Sequence, residues 1–78
     1  MKLSKLLLDA TGCPEGMPVR RQCSTLTDII AKHPGNLPVP TLAAVLKWFS
    51  RGSIPGDRLV QIVKAARAVG RDIDIRNY

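Results

Sequence analysis

An all-α domain of four to five small helices is the fold this chain predicts, and three observations predict it. Apolar residues recur at i, i+3, i+4 and i+7 in separate stretches bounded by glycine and proline. Aromatic residues make up 4% of the chain against 45% hydrophobic residues, so the core must be Leu, Ile, Val and Ala, a mix that favours packed helices over a sandwich. With 78 residues the chain reads as a single domain over 1–78, burying about 60–65% of its unfolded surface.

The first helix is expected over Leu3–Ala10, with Leu3, Leu6, Leu7 and Ala10 on one face and Gly12 and Pro14 ending it. A Gly- and Pro-rich loop follows through Pro18. Val19 to Gln22 fits either extended chain or an early helical turn. Thr25, with Asp28 three residues on, reads as the N-cap of the second helix, whose stripe is Leu26, Ile29 and Ile30 and whose stop is Pro34-Gly35. Asn36 to Pro40 is too proline-rich for a helix interior or a central strand.

Pro40 or Thr41 opens the third helix, striped by Leu42, Val45, Leu46 and Phe49 and ended by Gly52 at positive φ. Ser53 reads as the cap of the fourth, with Pro55 in its first turn, a stripe of Leu59, Ile62, Val63, Ala66 and Val69, and Gly70 at its end. Arg71-Asp72-Ile73-Asp74-Ile75-Arg76 alternates charged and apolar residues, which reads either as a short C-terminal β-strand or as a frayed tail. A lone strand needs a partner, and a second copy of the chain could supply it, so a strand here would go with a homodimer.

Net charge is +6, and the excess sits late: residues 47–78 hold seven Lys/Arg and three Asp, while residues 24–46 hold one of each sign. Such a balance points to nucleic acid, an acidic protein or anionic lipid. Catalysis finds no support. The single histidine, His33, precedes Pro34 and reads as a helix-end cation, and no base with an orienting partner can be marked. No Gly-rich phosphate loop appears, and no small-molecule substrate or cofactor is expected. Cys13, Cys23 and His33 are spaced by ten, unlike the short-spaced pairs of zinc sites, so no metal is expected. With no secretory leader read before them, the cysteines are expected as reduced thiols in a cytoplasmic protein. The hydrophobic run Leu6 to Leu8 is too short for a membrane span.

The third helix carries the strongest chemistry. Thr41, Ala44, Lys47 and Arg51 fall on the side opposite its apolar stripe, small toward the front and basic toward the end. A helix entering the major groove needs small or polar side chains near base edges and cations further along for phosphates. Ser50 and Ser53 add hydroxyls; Arg58, Lys64, Arg67 and Arg71 add charge from the fourth helix.

Over roughly Thr25 to Gly70 the chain resembles the small helix-turn-helix regulators of temperate phages and prophages, of the Cro and repressor type. Val45 and Trp48 look like the paired apolar positions of that family's recognition helix, and Arg51-Gly52-Ser53-Ile54-Pro55 looks like the link after it. Ala31 and Gly35 look like the preceding helix and turn. Gly35 and Trp48 stand thirteen positions apart, four more than that pattern. The resemblance implies a helix-turn-helix domain that binds double-stranded DNA sequence-specifically, often as a dimer, and represses transcription. By it, Thr41, Ala44 and Lys47 map to base-reading positions, and Lys47, Arg51 and Ser53 to phosphate contacts. The alternative of a different class is a small phage-type basic protein that binds and inhibits a host protein.

Overall fold

The computed structural model describes residues 3–74 and 76. Four helices make up its regular structure: α1 Leu3–Thr11, α2 Val19–Lys32, α3 Leu42–Arg51 and α4 Gly56–Ala68. The all-α expectation holds. The second helix is the hub, packing on α1, α3 and α4, while α1 also meets α4.

On α1 the buried residues are Leu3, Leu6, Leu7 and Ala10, the predicted face. They join Cys23, Leu26 and Ile30 of α2, Val45 of α3, and Ile62, Ala65 and Ala66 of α4 in one core. Gly12 ends α1 at φ 71° and returns its N–H to Leu8 O at 2.7 Å. The Arg71 guanidinium lies directly over Gly12, where a Cβ would overlap it. That places a cation at the negative end of the α1 dipole. Gly12→Ala is therefore expected to cost about 1–2 kcal/mol, from left-handed strain plus displacement of Arg71. An unchanged urea midpoint would refute this account.

The second helix begins six residues before Thr25. Pro18 presets the backbone at φ −55°, and its carbonyl accepts from Arg21 and Gln22 N–H at 3.0 and 3.1 Å. Starting there buries Gln22 and Cys23, and the Gln22 amide donates to Met17 O at 2.7 Å. Thr25 is thus no N-cap: its hydroxyl donates back to Arg21 O inside the helix.

Thr41 caps α3 as expected, its Oγ1 accepting from Ala44 N–H at 3.2 Å. Gly52 closes α3 at φ 72°, and both its N–H and that of Ser53 bond to Trp48 O. Ser53 does not cap α4, because the helix starts at Gly56 and leaves Ser53 two positions before the cap. Pro55 occupies that position instead, its carbonyl accepting from Leu59 N–H at 2.9 Å.

No strand forms among the described residues, and Arg71–Asp74 is irregular. Past the α4 terminus Gly70 turns the chain at φ 85°, and Arg71 N–H bonds back to Ala66 O. The turn sends Ile73 into the core, where it is 2% exposed between residues of α1 and α4. Burial against its own helices replaces the strand pairing on which the expected homodimer rested. Ile75 lies outside the described residues.

Candidate nucleic-acid interface

The third helix packs chiefly on α2, through buried Val45 and the half-buried Leu42, Leu46, Trp48 and Phe49. Its open face is Ala43, Lys47, Ser50 and Arg51, all exposed. These positions fall at i, i+4, i+7 and i+8, one side of a 3.6-residue period.

The sequence-predicted positions divide unevenly against that face. Lys47 and Arg51 stand together on it. Ala44 is half-buried at its edge. Thr41 is exposed, but its oxygen is committed to the Ala44 amide, which leaves the hydroxyl proton to offer. Ser53 lies beyond the opposite end of α3, about 15 Å of helix away from Thr41. Ala43 was missed, although its spacing to Lys47 and Ser50 marks it. A methyl group there lets another backbone approach closely.

Arg20-Arg21 stand beside the start of α3 as well. Because α2 starts at Val19, these arginines occupy its first turn, the helical of the two readings of Val19 to Gln22. Together with Pro18, Ser24 and Leu42 they line an open groove of about 540 Å³ between the starts of α2 and α3. No carboxylate occurs between Gly16 and Thr27, or between Ile29 and Gly56. The sequence segments that build this surface thus carry cations without compensating anions.

The basic residues of α4 and beyond are mostly engaged. Arg58 is half-buried, donating to Pro38 O at 2.6 Å and to Gln61 Oε1 at 3.0 Å, with its guanidinium 5.9 Å from the Trp48 ring centre. Arg67 faces Asp72 at 3.9 Å, and Arg71 covers Gly12. No continuous basic stripe runs from Arg58 to Arg71.

Arg58 belongs to a clamp on the connection from His33 to Thr41. Gln61 is 4% exposed, and its amide nitrogen points at the carbonyls of Pro34, Leu37 and Pro38 at 3.0, 3.4 and 3.3 Å. Prolines supply acceptors without donors in this segment, so a donor from α4 satisfies it. The clamp fixes the approach to α3 from the far side of the helix.

Both cysteines are free thiols, with Cys13 in the loop after α1 and Cys23 in the core. Burial pushes the Cys23 thiol up from its ordinary value, which disfavours the reactive thiolate. Among the described residues no cluster of His, Cys, Asp or Glu could hold a metal ion, and no helix is long and apolar enough to cross a membrane. In comparisons with protein-family models, curated proteins and solved structures, no match was found.

Proposed function

We propose that this protein is a sequence-specific double-stranded DNA-binding regulator that inserts α3 into the major groove and acts in the cytoplasm as a transcriptional repressor of the Cro type. The observation that carries the reading is the surface combining Lys47 and Arg51 on the open face of α3 with Arg20 and Arg21 at its start, built from segments free of carboxylates. Ala43 and Ala44 would let the helix backbone close on base edges, and Thr41 offers its hydroxyl proton at the helix front. Lys47, Arg51, Arg20 and Arg21 neutralise phosphates, with Ser53 contributing a hydroxyl at the helix end.

Selection from a random duplex library at near-physiological salt tests the reading. An enriched consensus is the expected result. A folded protein that enriches nothing would overturn it and favour an acidic protein partner for the same surface. With about five phosphates neutralised, log K is expected to fall against log salt with a slope of about −4 to −5. Lys47→Ala is expected to weaken binding about fivefold or more and to reduce that slope by about one, the fold being retained. A folded variant with unchanged affinity and slope removes Lys47 from the interface.

A further inference from the structure

The outer face of α4 remains unexplained by the core, the clamp or the α3 surface. Val60 stands on it, 50% exposed in the middle of the helix. Asp57 and Lys64 flank Val60 on the same stripe, and both are exposed. Neither forms an ion pair within the chain among the described residues; the Asp57 carboxylate accepts only the Arg58 backbone N–H, at 2.8 Å. Seven positions apart, the two charges are about 10 Å from each other along the axis, beyond the i+3 and i+4 reach of helical pairs.

Val60 and Lys64 form a ridge between two grooves and line both. One groove, of about 340 Å³, has Leu37 of the α2–α3 connection on its far wall. The other, of about 350 Å³, is lined by Leu59, Val63 and the edge of Ile73, with the charged Arg67, Asp72, Asp74 and Arg76 around them. A ridge beside grooves with apolar walls is the shape by which one helix packs against another.

We infer that this face of α4 is an interface for a second copy of the chain, with the two α4 helices packed antiparallel across Val60. The midpoint between Asp57 and Lys64 falls beside Val60. A two-fold axis there sets Asp57 against Lys64 of the partner subunit, and Lys64 against Asp57 of the partner subunit. One contact thus answers both unpaired charges, and the same patch serves both copies as a two-fold interface requires. A parallel arrangement would instead oppose like charges. Val60 supplies the apolar centre, and each ridge enters a groove of the other copy.

Sedimentation equilibrium of the whole chain across micromolar to high-micromolar concentrations tests this. The wild type is expected to shift with concentration from 8.5 kDa toward twice that mass. Asp57→Lys and Lys64→Asp are each expected to weaken association about tenfold or more, because each opposes like charges twice. The double variant Asp57→Lys/Lys64→Asp is expected to restore it, and Val60→Glu to abolish it. Circular dichroism establishes that each variant is folded. A monomer at every concentration overturns the inference, as does a dimer indifferent to both charge reversals. Neither outcome touches the DNA-binding proposal, since a monomer can still enrich a sequence without two-fold symmetry.

Discussion

Replacing Leu26 by alanine is expected to cost about 3–4 kcal/mol. Leu26 is fully buried on α2, the helix that packs on every other one. Truncation there removes the transfer energy of the side chain and leaves a cavity between helices that cannot all close on it. A domain of this length holds only about 4–12 kcal/mol of stability. The substitution therefore consumes about a quarter or more of it, and chemical denaturation should show a much lower midpoint with an unchanged slope. Val39→Ala, at a position 43% exposed on the α2–α3 connection, should shift stability by less than about 0.5 kcal/mol. A Leu26→Ala loss below about 1 kcal/mol would contradict the hub role of α2.

Gln61→Leu should produce a loss of about 2–3 kcal/mol despite nearly conserving volume. Packing is kept, but the one side-chain donor among the described residues to Pro34 O and Leu37 O is removed, while Pro38 O retains its bond from Arg58. Arg58 in turn loses its Oε1 acceptor. A melting temperature lower by roughly 10–20 °C would follow for a domain of this size. The arrangement also predicts a coupling: Arg58→Met, Gln61→Leu and the double variant should be non-additive by at least about 0.5 kcal/mol, since both residues serve one network. Trp48 emission should shift in the Arg58 variant, because a guanidinium leaves the ring face. Additive losses would mean that the two side chains hold the connection independently.

Much of the helical frame was legible because its signals are local. The Leu3, Leu6, Leu7, Ala10 face of α1, the Thr41 cap and the Gly52 terminus of α3 each rest on residues within a turn or two of one another. Lys47 and Arg51 were legible for the same reason, since the stripe of α3 leaves them on its opposite side. The start of α2 was not. A threonine cap contributes about 1 kcal/mol, and that local preference yields when an earlier start buries Gln22 and Cys23 against the core. The 71–76 alternation misled in the same way: period two describes a strand only if another strand is present, and here Ile73 finds α1 and α4 instead.

By itself, then, the sequence determined an all-helical chain, most helix ends and the cationic side of α3, because periodicity, capping and left-handed glycines act over a few residues. Tertiary structure alone decided that Arg20 and Arg21 open beside Leu42, that Arg58 is spent on the clamp, and that Gln61 reaches carbonyls up to 27 positions away. Those pairings depend on how whole helices cross, and the crossings are set by the summed burial of every apolar face rather than by any neighbouring residue.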